Sequence, residues 1–98
     1  REAIAETLAR DNNLTYTSDE ILVTAGVQES IMLTLLGLVN PGDEVLITSP
    51  RFTTYDTAVG LCGGVPVPVP TFERDDFALL PAEIEKRLTP RSKVLVLV

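Results

Sequence analysis

The chain has no histidine and no tryptophan, a single cysteine and a single methionine among its 98 residues. Without histidine, no Ser–His or Cys–His nucleophilic pair can be assembled, so hydrolase chemistry of that kind is excluded for this segment. Cys62 alone forms no internal disulfide and, with no histidine beside it, no Cys/His metal site; it reads as a small buried apolar residue. Cations are also scarce. Eight Lys and Arg face fourteen Asp and Glu, a formal net charge of -6, and no basic run exceeds the pair Lys86-Arg87. Nucleic acid and anionic membrane surfaces are therefore poor partners. No apolar run approaches the roughly 20 residues of a membrane span. Glu2, Glu6, Asp19, Glu20, Asp75, Asp76, Glu83 and Glu85 fall in loops or on polar helix faces. None pairs with another carboxylate at a strand end, which leaves glycosidase and two-metal chemistry without a footing. Neither a Walker nor a dinucleotide-binding fingerprint occurs.

What is present is apolar and periodic. Hydrophobic residues make up 45% of the chain, enough for a core. Residues 1–11 read as a helix with Ile4 and Leu8 on one face, and Ile21-Leu22-Val23-Thr24 as a first strand. Val27, Ile31, Leu35, Leu38 and Val39 form one stripe, widened by Met32 and Leu36, which predicts a largely buried helix. Asn40-Pro41-Gly42-Asp43 ends it in a turn, and Glu44–Thr48 is the second strand. A helix over 53–61 ends at Cys62-Gly63-Gly64. In Val65–Pro70 valine alternates with proline, which cannot donate to a ladder. That strand belongs at a sheet edge with its prolines on the unpaired side. After a polar loop over 71–78, Pro81 opens a helix carrying Ile84 and Leu88. Lys93–Val98 lacks alternation and is expected mid-sheet, covered on both faces. Helices alternating with strands predict an α/β fold, three-layer α/β/α with a mostly parallel sheet.

Ligands of open α/β sheets bind beyond the carboxyl ends of strands. At Thr24-Ala25-Gly26-Val27-Gln28 a strand stops at a glycine and a helix begins, exposing unpaired N–H groups at the positive end of a helix dipole. Such a junction suits a phosphate or carboxylate. On spacing alone, a simple strand–helix turn is the plainer reading. At Ser49-Pro50-Arg51-Phe52, the aromatic could stack on a planar ring or pack in the core. Arg51 reads as a solvated loop residue.

The residues Ile21-Leu22-Val23-Thr24-x-Gly26, Asn40-Pro41-Gly42-Asp43-Glu44-Val45, Pro50-x-Phe52-x-x-Tyr55, Gly63-Gly64 with its Val/Pro strand, and Leu79-Leu80-x-x-x-Ile84-Glu85 followed by Thr89-Pro90 resemble the fold-type-I pyridoxal-phosphate enzymes. More narrowly, the chain resembles the class I/II aminotransferases, in order and over its whole length. The resemblance implies that residues 1–98 are the N-terminal part of a cofactor-binding large domain. The absent initiator methionine and the final apolar run Val94–Val98 agree with an excerpt of a longer chain. It further implies pyridoxal 5'-phosphate as cofactor, its phosphate on the backbone of Gly26, Val27 and Gln28, and Phe52 against its pyridine ring, with Tyr55 supporting the loop.

The substrates implied are an amino acid and a 2-oxo acid, and the setting a cytoplasmic homodimer. The lysine that such enzymes join to the cofactor is not here: Lys86 lies on a helix and Lys93 at the wrong end of a strand, so no catalytic residue is assigned and the segment alone is expected to be inert. A C–S lyase, a cyclopropane-carboxylate synthase, a histidinol-phosphate aminotransferase, a regulator with a degenerate domain and a cofactor-free α/β domain remain alternatives. The family's seven-stranded sheet also implies that later strands separate the first and fourth strands of this segment from the second and third. Unpaired edges and apolar faces would follow.

Overall fold

A computed structural model describes residues 1–98, which fall into two compact units, Arg1–Ser30 and Ile31–Val98. In the first unit, helix α1 (Glu2–Asn12) closes on Asn13 in the left-handed region, φ 55°. The Leu14 N–H then reaches back to the Leu8 carbonyl at 3.1 Å, satisfying a terminal acceptor. A short 3₁₀ turn over Ser18–Glu20 is closed by the Glu20 carboxylate, which accepts from the Thr17 N–H at 2.8 Å and the Thr17 hydroxyl at 2.9 Å.

The strand expected at Ile21–Thr24 does not form. β-Branched residues favour extended backbone, but a strand is completed only by a partner's ladder. No other segment of the chain pairs with these residues, and Leu22 and Val23 stand exposed.

The second unit is built on a parallel sheet of β1 (Glu44–Ser49), β2 (Val65–Pro70) and β3 (Ser92–Val96) in the order β2-β1-β3. Central β1 is the core. Val45 and Ile47 are fully buried on one face, where Leu35 and Val39 meet them from helix α2 (Val27–Leu38) and the residue after it, and Val59 from helix α3 (Thr54–Leu61). Leu46 projects to the other face, lining a groove with Ile84, Leu88 and Leu95 beneath helix α4 (Pro81–Glu85). Helices therefore cover both faces, giving the expected three layers.

The Val/Pro strand lies at an edge as expected. Val65 and Thr71 donate their N–H groups to Asp43 and Ser49 carbonyls, each at 2.8 Å. By the strand's two-residue period, Val67 and Val69 face β1 as well and Pro66, Pro68 and Pro70 face outward. At its entry Gly64 leaves no room for a side chain, since a Cβ there would sit 2.8 Å from Val39 Cγ1 and 3.0 Å from Val59 Cγ1.

Three expectations are corrected. Within residues 1–98, β3 has β1 as its one neighbour, with Val94 and Val96 half-buried and Lys93 and Leu95 exposed. Nor is it separated from the second strand, for it pairs directly with β1. An edge strand needs only one neighbour, and β1 offers the one free ladder opposite β2. Finally, α2 is not largely buried: Leu35 is its single buried residue, while Val27, Leu33, Leu36 and Leu38 are exposed. One narrow sheet covers one stripe of a helix and leaves the rest of a broad apolar surface outside.

Candidate functional site

The first candidate feature is the turn into α2. Gly26 has φ +102°, a conformation that side-chain-bearing residues rarely adopt, and a Cβ placed on it would meet nothing within 4 Å. The first backbone bond into the helix runs from the Ser30 N–H to the Gly26 carbonyl at 3.4 Å. The N–H groups of Gly26, Val27, Gln28 and Glu29 therefore precede the ladder and have no acceptor within the chain.

Side chains hold this turn. The Thr24 hydroxyl donates to the Gly26 carbonyl at 2.9 Å and contacts the Ser30 hydroxyl, while the Glu29 carboxylate accepts from the Ala25 N–H. Val27 and Gln28 are both exposed. The three residues singled out from the sequence are consecutive at this open turn, and their N–H groups have no acceptor within the chain. The helix dipole adds partial positive charge, so the turn fits a phosphate group.

A separate feature lies within the unit Ile31–Val98. Ser49 ends β1, and its carbonyl accepts from the Thr71 N–H at 2.8 Å and the Thr71 hydroxyl at 3.0 Å. Phe52 follows three residues on, its carbonyl accepting from the Tyr55 N–H at 3.3 Å as α3 begins. The Phe52 side chain is not in the core: the residue is 66% exposed. Tyr55 instead packs against the buried cluster of Val45, Ile47 and Val59. Beyond the strand ends lies a cavity of about 420 Å³ walled by Thr48, Pro50, Thr71, Phe77, Leu79, Leu97 and Val98. Phe52 is not part of that wall.

Two groups escaped the sequence reading. Arg51 is not solvated; its side chain is only 13% exposed and forks onto Asp56, through Nε to Oδ2 at 2.9 Å and Nη2 to Oδ1. The guanidinium holds the Asp56 carboxyl below its usual range. Opposite charges five residues apart across a loop–helix junction were the available signal. Glu44 is the other. This carboxylate is buried at the start of β1 and accepts from the Thr89 hydroxyl at 2.6 Å, Arg91 Nη2 at 2.7 Å and the Ser92 hydroxyl at 3.4 Å. The Thr89 hydrogen bond, then Arg91, pulls its pKa below the ordinary value. Its partners lie some 45 positions away, so no local spacing could have found them. Glu44 sits at the amino end of the strand, away from the end where ligands bind.

Residues 1–98 match the family described as aminotransferase class I and II. The chain is 38% identical over 96 residues to a probable aspartate/prephenate aminotransferase of Thermus aquaticus, covering 98% of this chain and 25% of that one. It is 41% identical over 97 residues to a bifunctional aspartate aminotransferase and glutamate/aspartate-prephenate aminotransferase of Petunia hybrida, covering 99% of this chain and 20% of that one. The solved structure of an aromatic aminotransferase from Pyrococcus horikoshii OT3 superposes with a TM-score of 0.92 at 40% identity, over 96% of this chain and 26% of that chain. The chain thus spans about a quarter of the length of such relatives.

Proposed function

Because this chain belongs to the class I and II aminotransferases, we propose that the protein carrying it transfers an amino group between an amino acid and a 2-oxo acid, with pyridoxal 5'-phosphate as cofactor. The family match over all of residues 1–98 is the observation that carries this reading. The relatives above are named for amino transfer, which favours this reading over the C–S lyase, cyclopropane-carboxylate synthase and regulator readings.

Residues 1–98 serve in this reading as the N-terminal part of the cofactor-binding domain. The N–H groups of Gly26, Val27 and Gln28 bind the cofactor's phosphate, supported by their lack of any acceptor in the chain. Phe52 offers an exposed ring face for stacking on the pyridine ring, which excludes water from that side. When bound, the cofactor supplies an electron sink that no side chain of this segment provides. The setting proposed is a cytoplasmic homodimer.

Aspartate and aromatic amino acids are the donors to try first, since relatives carry those names. The test uses the full-length protein loaded with pyridoxal phosphate and a panel of such donors with 2-oxo acids. Release of the corresponding 2-oxo product is expected. No amino transfer with any donor, in protein that has taken up the cofactor, overturns the reading. Gly26→Ala should weaken cofactor binding about tenfold, because forcing an L-residue into positive φ costs ~1–2 kcal/mol and displaces the donors. Unchanged affinity would remove the phosphate role from this turn.

A further inference from the structure

We propose that Arg51 and Asp56 are positioning residues, a brace that holds Phe52 exposed at the end of β1 for stacking on the cofactor ring. The proposal rests on the role given to Phe52 above.

An exposed phenylalanine at a loop start gains free energy by folding onto nearby apolar surface. Something must hold it out, and the backbone on either side of it is fixed. Upstream, Ser49 is tied to Thr71 by two hydrogen bonds to one carbonyl. Downstream, Tyr55 is seated against the core. Between them the Arg51–Asp56 fork closes a loop that contains Phe52. Two near-parallel bonds fix the plane of the guanidinium as well as its distance, which a single lysine contact would not do. At 13% exposure for Arg51 and 35% for Asp56, the pair is screened less by water than an ordinary surface pair. The Nε–Nη2 edge of Arg51 is taken up by Asp56, so that edge is committed to the loop rather than to an incoming anion.

A brace acts only through the ring it positions, and this separates it from a general effect on folding. In full-length protein, pyridoxal phosphate affinity is measured by fluorescence for wild type, Arg51→Ala, Phe52→Ala, the double variant and the exchanged pair Arg51→Asp/Asp56→Arg. Amide hydrogen exchange at residues 52–56 is followed in the cofactor-free forms. Loss of one stacked aromatic contact corresponds to about five- to tenfold in affinity. R51A should lose about that much, the loss should shrink below about twofold in the F52A background, and the exchanged pair should regain most of it. Exchange at 52–56 should accelerate in R51A. If R51A does not fold, Arg51→Lys, which keeps the charge and loses the fork, carries the same comparison.

Wild-type affinity in R51A, an equal loss with and without Phe52, or unaltered exchange would each overturn the brace while leaving cofactor binding intact. A wild-type protein that takes up no pyridoxal phosphate overturns the functional reading itself, and the brace with it.

Discussion

Glu44 shows at the scale of single residues how a buried charge is made tolerable. A carboxylate removed from water is costly unless donors replace its hydration. Here Thr89, Arg91 and Ser92 all supply them, from the turn that leads into β3, and the Glu44 N–H in turn donates to the Arg91 carbonyl at 2.8 Å. The corner is thus stitched by side chain and backbone together. Because these donors favour the ionised form, the folded-state pKa lies below the unfolded value of about 4.3. The stabilisation is therefore present above that value and is lost as pH falls through the lower, folded-state pKa. Glu44→Gln removes this dependence. Thermal melts of the full-length protein at about pH 6 and pH 3 should show a larger fall in midpoint for wild type than for E44Q. Equal falls would mean that Glu44 does not couple to folding. Other depressed carboxyls such as Asp56 and Glu83 contribute alike to both proteins and cancel in the difference.

The strands display two different edges at the scale of elements. β2 turns its prolines outward, so its free side offers carbonyls but no run of N–H donors and cannot template a further strand. Within residues 1–98, β3 pairs with β1 alone and carries no proline along its other side. Pro68 is exposed, so Pro68→Thr adds one outward donor without disturbing the register to β1. In the full-length protein this change should raise light scattering on prolonged warming while leaving the melting midpoint nearly unchanged. Unaltered scattering would show that the alternation of valine with proline is not an edge guard. The helices follow the same logic of partial cover. α3 buries Val59 and leaves Leu61 exposed, just as α2 buries Leu35 and leaves Leu36 and Leu38 outside.

Apolar surface left outside is the dominant feature of residues 1–98 taken together. Leu22, Val23, Val27, Leu61, Leu97 and Val98 each keep more than three-fifths of their surface in water, and exposed apolar surface on this scale marks an interaction face or an aggregation hazard. The buried set is small by contrast, centred on Val45, Leu46, Ile47, Val59 and Val69. A core of this size supports little cooperativity. The 98-residue segment expressed alone should therefore melt broadly and bind a hydrophobic dye before any transition. A sharp two-state melt from a monomer, with no dye binding, would overturn that expectation.

The sequence by itself determined whatever depends on neighbours along the chain. The helices at 2–12, 27–38 and 54–61 follow from apolar spacing, the edge position of Val65–Pro70 from proline's missing donor, and the open turn at Gly26 from a residue that tolerates positive φ. Tertiary structure alone decided what depends on partners far away in the chain. Ile21–Thr24 has strand composition but no ladder, and Lys93–Val98 has the composition of a central strand but only one neighbour. Glu44 and Arg51, unremarkable in sequence, became a buried and a part-buried ion-pair partner. The difference is physical: a backbone torsion is satisfied locally, whereas a strand or a buried charge is completed only by the group that comes to meet it.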